Sequence, residues 1–255
     1  MTLAISSYAL AALCAVSAAA GFVDAIAGGG GLLTVPALMG FVPSPHLALG
    51  TNKGQAVFGA ISSAASFWRG GGLDKHRAPL AFVCAGLGAI AGALLQLAVS
   101  PGPLKPIALG MLVVAAVLVA ARPLLLRGQK PHATKAPRAR LAAIALTIGV
   151  YDGFFGPGTG SLLIVAFVAL AGDSMTRASG NAKIANLASN ITSFGIFAAK
   201  GTILWPIALP MAACNAVGAW AGAHTAMKRG DSFVRFVVLA VVLALAGKLS
   251  WDLLR

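Results

Sequence analysis

The chain has 255 residues, 58% of them apolar and only 10% charged, with a mean hydropathy of +0.88. Globular proteins run at about 45–50% apolar and about 25% charged, so this composition excludes a soluble particle and indicates an integral membrane protein. The formal charge of +13 arises from nineteen Lys and Arg against six acids, all aspartate; with no DNA- or RNA-binding motif beside it, that excess reads as basic loops and not as a nucleic-acid footprint.

The first apolar segment, 3–27, lacks a basic leader and reads as a retained membrane helix instead of a cleaved signal. It runs into four glycines, Gly28 to Gly31, and a short apolar arm over 31–41. Helices are expected over 46–69, 79–99 and 103–126. A basic stretch follows, carrying Arg122, Arg127, Lys130, Lys135, Arg138 and Arg140. Beyond it come segments at 141–155, 161–171, 175–199, 203–226 and 232–254. Twenty residues at a rise of about 1.5 Å cross a core of about 30 Å, whereas arms of about 11 residues reach only half of it. Each short arm, joined to its predecessor by glycines, therefore predicts a broken or re-entrant hairpin. Such backbone persists at membrane depth only when buried in protein or lining a cavity, because lipid offers it no hydrogen bonds.

The chain repeats itself. GFVDAIAGGGG at 21–31 returns as GVYDGFFGPGTG at 149–160, at an offset of 128. Two residues are inserted in the second glycine turn, after which the offset is 130. Leu32 and Leu33 then match Leu162 and Leu163, and Gly50 and Lys53 match Gly180 and Lys183. Cys84 matches Cys214, and GAIAGA at 88–93 matches GAWAGA at 218–223. In-register matches across several segments define an internal duplication: a first membrane repeat 1–126, a basic cytoplasmic linker 127–139 and a second repeat 140–255. The predicted fold is an all-α polytopic membrane protein in which each repeat is a Gly-broken helical hairpin plus three transmembrane helices. If each hairpin returns to its own side the halves are inverted, and if it crosses they are parallel. Loop Lys and Arg fall mostly inside in either case. Inversion is favoured because 3–27 can nearly span the core alone.

The glycine turns are the first candidate site. Gly28, Gly29, Gly30 and Gly31, with Gly156, Gly158, Thr159, Gly160 and Ser161 in the partner copy, let backbone approach a ligand closely. Each turn opens a short helix, whose free N–H groups and positive dipole end favour an anion. Paired interrupted segments in two halves point to a transporter site; the plainer reading is close helix packing, which GAIAGA and GAWAGA serve. Lys53 and Lys183 each lie inside a helix among polar neighbours: Asn52 and Gln55 in one copy, Asn181, Asn186 and Asn190 in the other. An ionisable group in a span is a functional candidate by default, set against snorkelling of its head to the interface. Asp24 and Asp152 precede the turns by four residues. They either pair with the lysines structurally or carry protons for a coupled cycle.

Other reactive side chains read as structural. Cys14, Cys84 and Cys214 have neither metal nor disulfide spacing, and no pair of histidines has metal spacing, so no metal or cofactor is expected. Trp68, Trp205 and Trp251 lie near segment ends as interfacial anchors, while Trp220 falls mid-helix without an assignment.

GFVDAIAGGGGLLTVPAL with HLALGTNKGQAVFGAISSAASFWRGG, and GVYDGFFGPGTGSLLIVAF with RASGNAKIANLASNITSF, resemble the two repeat signatures of the sulfite exporter TauE/SafE family, also called the 4-toluene sulfonate uptake permease family. The similarity covers almost the whole chain apart from the linker. It implies a transporter of sulfur-containing anions such as sulfite, sulfoacetate or aryl sulfonates. The expectation is a multi-pass secondary carrier of the cytoplasmic membrane, with a small anion as cargo, the lipid bilayer as surroundings, and protons and homodimerisation as compatible additions. The alternative is an anion channel with the glycine turns as filter. A membrane enzyme is disfavoured, since Asp24 and Asp152 are the only carboxylates within the spans around the turns.

Overall fold

The computed structural model describes residues 6–71, 74–125, 137–173 and 175–253, which form nine helices and no strand. The first repeat gives α1 (Ser7–Ala27), α2 (Gly31–Phe41), α3 (Pro45–Arg69), α4 (Ala78–Ala98) and α5 (Pro101–Leu125). The second gives α6 (Arg138–Phe154), α7 (Thr159–Ala169), α8 (Met175–Ala199) and α9 (Trp205–Leu253). Residues 127–136 of the expected linker lie outside the described residues. α1, α4 and residues Pro101–Leu118 of α5 are long and apolar enough to cross a membrane, and α2 and α7 are the two short apolar arms.

Local chemistry sets the ends of these helices. Ser6 caps α1 by accepting the Ala9 N–H at 3.2 Å. Gly28 closes it in the left-handed region, with φ of 75° and its N–H on the Asp24 carbonyl. A Cβ on Gly28 would stand 2.3 Å from the Gly160 carbonyl carbon, so the two glycine turns touch backbone to backbone at the centre of the protein.

Contacts between helices fix their directions. Gly21 lies on Asn215 and Gly222 on Phe22, so α1 runs alongside and parallel to α9. Gly149 lies on Ala85 and Gly153 on Ala89, so α4 and α6 are likewise parallel. α3 follows α9, with Gly50 on Thr202 and Gly70 on Met227. α4 follows α8, through Ala78 beside Ile184 and Ala93 beside Phe197. α3 and α8 oppose each other, since Phe58 meets Phe194 while Ala64 meets Ile184. Hence α1, α3 and the first part of α9 point one way, and α4, α6 and α8 the other. α2 turns back: Leu38 and Val42 pack with Leu13 and Ala48 near the starts of α1 and α3.

The packing is inverted relative to a soluble protein. Phe82, Leu87, Leu94, Val114, Val117, Leu209 and Trp220 are exposed, whereas Thr51, Asn52, Lys53, Gln55, Asn181, Lys183 and Asn190 are buried. That is the distribution expected when the solvent is hydrocarbon, and it assigns Trp220 to the lipid-facing surface. Glycine lets the helices close up, as the small-residue spacing predicts. A Cβ on Gly92 would sit 2.0 Å from the Val150 carbonyl oxygen, and one on Gly218 2.0 Å from that of Ala18.

One element differs from expectation. The sequence suggests a break between 226 and 232, where Lys228-Arg229-Gly230-Asp231-Ser232 resembles a helix stop and restart, yet α9 continues unbroken through it. A single glycine costs a helix only about 1 kcal/mol, and no proline lies there to end it.

Candidate functional site

α3 and α8 carry the polar residues into the middle of the bundle, where the glycine turns meet. A polar cavity of about 40 Å³ lies there, lined by Asp24, Gly30, Gly31, Thr34, Asn52, Lys53, Gln55, Ala56, Asp152, Gly156, Asn186, Asn190 and Asn215. α1, α2, α3, α6, α8, α9 and the second glycine turn all contribute to its wall.

The charged groups pair across the halves of the chain. Lys53 Nζ donates to Asp152 Oδ1 at 2.8 Å, with both side chains at most 4% exposed. Asp152 also accepts from Thr159 Oγ1 at 2.9 Å and from the Ser189 hydroxyl. Lys183 Nζ donates to the Asp24 carbonyl and lies 3.7 Å from its Oδ2. Asp24 Oδ1 accepts the Gly30 N–H at 3.1 Å, and its side chain remains 27% exposed. Each lysine thus reaches the aspartate ahead of the other half's turn, because α3 and α8 cross antiparallel beside it. Two buried charges stay in a low-dielectric interior only when paired and hydrogen-bonded in this way.

Amides and hydroxyls complete the wall. Asn52 Oδ1 accepts from Thr34 at 2.6 Å and from Gln55 Nε2 at 3.2 Å. Ser17 donates to Gln55 Oε1 at 2.8 Å, and Asn215 Nδ2 donates to the Ser17 carbonyl at 3.0 Å. Asn190 Nδ2 donates to Asn186 Oδ1 at 3.0 Å, the i, i+4 contact expected from their spacing.

Of the residues singled out from sequence, Asp24, Gly30, Gly31, Asn52, Lys53, Gln55, Asp152, Gly156, Asn186 and Asn190 line the cavity. Others stand behind it. Gly28 and Gly160 form the backbone contact between turns. Ser161 staples that contact, its N–H on the Gly28 carbonyl at 3.1 Å and its hydroxyl on the Ala27 carbonyl. Thr159 is spent on Asp152, and Lys183 is held behind Asp24. Gly29 and Gly158 belong to the turns without reaching the wall. Asn181 lies farther along α8, donating to Asp173 Oδ2 at 3.4 Å. Sequence reading missed Thr34 and Asn215. Their counterparts at the offset of 130 are Ile164 and Ala85, so comparison of the repeats conceals them. The signal available was an amide or hydroxyl in an otherwise apolar span.

A family model described as Sulfite exporter TauE/SafE matches residues 13–249. The chain belongs to this family. A probable membrane transporter protein, ORF9, of Sinorhizobium sp is 37% identical over 234 residues, covering 91% of this chain and 89% of the relative. One from Haemophilus influenzae is 35% identical over 95% of each chain. The probable membrane transporter protein YfcA of Escherichia coli K12 is 34% identical over 97% of this chain and 92% of its own. No solved structure matches. The TauE/SafE match and the apolar helices make this a multi-pass protein of the cytoplasmic membrane and a membrane transporter of the TauE/SafE type.

Proposed function

We propose that this protein is a secondary carrier that moves a small sulfur-containing anion, such as sulfite, sulfoacetate or a related organosulfonate, by alternating access. The observation that carries the reading is the polar-lined cavity where the two glycine turns meet, with Lys53, Thr34, Asn52, Gln55, Asn186, Asn190 and Asn215 on its wall. A sulfur oxyanion needs several hydrogen-bond donors in a water-poor site, and Asn52, Gln55, Asn186, Asn190 and Asn215 supply them around the Lys53–Asp152 pair. Lys183 contributes charge from behind Asp24. The relatives are named membrane transporters, which fits a carrier.

The two repeats are read as inverted halves that rock against each other about the cavity. Supporting this, the close contact of Gly88 with Leu146 has its counterpart in that of Gly218 with Ala18, and Gly92 on Val150 in Gly222 on Phe22. The matched helices also run oppositely: α1 against α6, α3 against α8. Arg69, Lys75, Arg77, Arg138, Arg140, Arg177, Lys228 and Arg229 then gather at one end, with Lys105 and Lys200 at the other. The basic end is the cytoplasmic one by the positive-inside rule.

The test is flux of labelled sulfite and sulfoacetate into proteoliposomes. Saturable uptake with counterflow is expected for the wild type. Lys53→Ala and Lys183→Ala are each expected to reduce it at least tenfold at a temperature where each variant still lies below its own, lowered, melting transition. Unsaturable flux, or flux indifferent to both lysines, overturns the reading.

A further inference from the structure

The two aspartates occupy matching positions in the repeats, yet the structure treats them differently. Asp152 is 1% exposed and has donors on both carboxylate oxygens, from Lys53, Thr159 and Ser189. Asp24 is 27% exposed on the cavity wall, keeps a backbone N–H on Oδ1 and stands 3.7 Å from the Lys183 ammonium. Its oxygens therefore face the space that the cargo anion has to enter.

That position creates a conflict. The charged groups facing Asp24 are Lys183 on α8 and, across the cavity, Lys53 on α3 with Asp152 on α6; α2 offers Thr34 and α9 offers Asn215, both neutral. Lys53 is already neutralised by Asp152. An incoming anion consequently meets the Asp24 carboxylate, with the Lys183 ammonium 3.7 Å from it on the side away from the cavity. Two like charges sharing a poorly solvated site disfavour each other's charged form.

Resting on the anion-carrier reading above, we propose that Asp24, and not Asp152, is the carboxylate that takes up a proton when the anion binds, which makes the carrier a proton–anion symporter. The Asp24 carboxylate accepts one proton from cavity water, which draws it from the side to which the site is open. The neutral acid then donates a hydrogen bond, and the anion replaces the lost charge as counter-ion to Lys183. For a monoanion the net charge of the site is the same loaded and empty, so the loaded carrier returns across the membrane without dragging charge. Asp152 keeps Lys53 ionised and in place throughout the cycle.

The experiment uses the full chain in proteoliposomes containing a fluorescent pH indicator, with labelled sulfoacetate and methanesulfonate as probes. Both stay ionised between about pH 6 and pH 8, so the cargo itself does not titrate. For wild type, an acidic exterior is expected to drive accumulation and acidify the lumen in step with the label. Asp24→Asn, an isostere of the protonated acid, is expected to lose the proton signal and the pH-driven accumulation while still exchanging internal for external anion. Asp152→Asn is expected to lose flux or thermal stability, with whatever flux remains still moving protons. Proton-coupled uptake retained by Asp24→Asn overturns the inference, as does wild-type sulfonate flux without proton movement; in the latter case the carrier reading stands. Absence of sulfur-anion flux in the wild type at every pH overturns both.

Discussion

Lys53 and Asp152 show what a single buried pair does for this protein. Their 2.8 Å contact is buried, with the two side chains 4% and 1% exposed, so each charge is offset chiefly by the other. Removing one partner alone strands the other, at a cost of about 3–5 kcal/mol, whereas replacing both with apolar groups is often neutral. Lys53→Met is therefore expected to lower the melting temperature sharply in detergent. The double variant Lys53→Met with Asp152→Leu is expected to regain most of that stability and no flux, which separates structure from transport in one comparison. At this scale the sequence exposed the lysines, aspartates and turn glycines because each has a twin in the other repeat. It exposed Thr34 and Asn215 poorly, since their twins are Ile164 and Ala85, and a lone hydroxyl or amide declares itself only when its neighbours in space are known.

Several helix pairs close to backbone contact at glycines. α1 ends at Gly28 because only glycine adopts φ of 75° freely and because Gly160 leaves no room for a Cβ. Gly28→Ala meets both obstacles. It is expected to destabilise the protein by about 1–2 kcal/mol from the left-handed conformation alone, with further loss from the overlap, read as a lower melting temperature and reduced flux. The loop between α7 and α8 supplies a titratable counterpart. Arg77 Nη1 lies 2.5 Å from Asp173 Oδ1, joining the start of α4 to that loop. Burial nevertheless pushes the Asp173 carboxyl up, against the opposing pull of Arg77 and Asn181. A carboxyl raised in the folded state binds its proton more tightly there than in the unfolded chain. Stability is then expected to fall as pH rises from the ordinary carboxylate value of about 3.9 toward the raised one. Asp173→Asn is expected to flatten that part of a melting-temperature profile against pH. The helix limits were legible from apolar runs and glycines to within a few residues, except across Lys228 to Ser232, where the local signals for a stop are weaker than the propagation of α9.

For the whole molecule, opposite helix directions place the basic loops at one end and Lys105 and Lys200 at the other. Labelling single cysteines with an impermeant reagent, after Cys14, Cys84 and Cys214 are changed to serine, tests this arrangement. Gly102→Cys and Lys200→Cys are expected to react in intact cells, and Lys75→Cys only after permeabilisation. Labelling of Lys75→Cys in intact cells is incompatible with inverted halves of this orientation. The two ends also differ in kind. Asp74, Arg77, Asp173 and Arg177 form ion pairs at the basic end. The positions matching them at the offset of 130, Leu204, Ile207, Pro43 and Leu47, belong to the other end, where Leu47, Leu204 and Ile207 pack with Leu13, Leu38 and Met211. α9, at 49 residues and about 74 Å, is longer than one crossing of the core.

Composition alone determined that the chain lives in a bilayer, because 10% charged residues cannot solvate a particle of this size. Glycines and lysines recurring at a fixed offset marked its centre, because broken backbone and buried charge are tolerated in lipid only for a reason. Tertiary structure alone decided the rest. Which lysine meets which aspartate, that the pairs cross between halves, and that Asp24 faces the cavity while Lys183 stands behind it all depend on how α3 and α8 cross. That crossing brings Phe58 to Phe194 and Ala64 to Ile184, residues more than a hundred positions apart, and no local pattern records it.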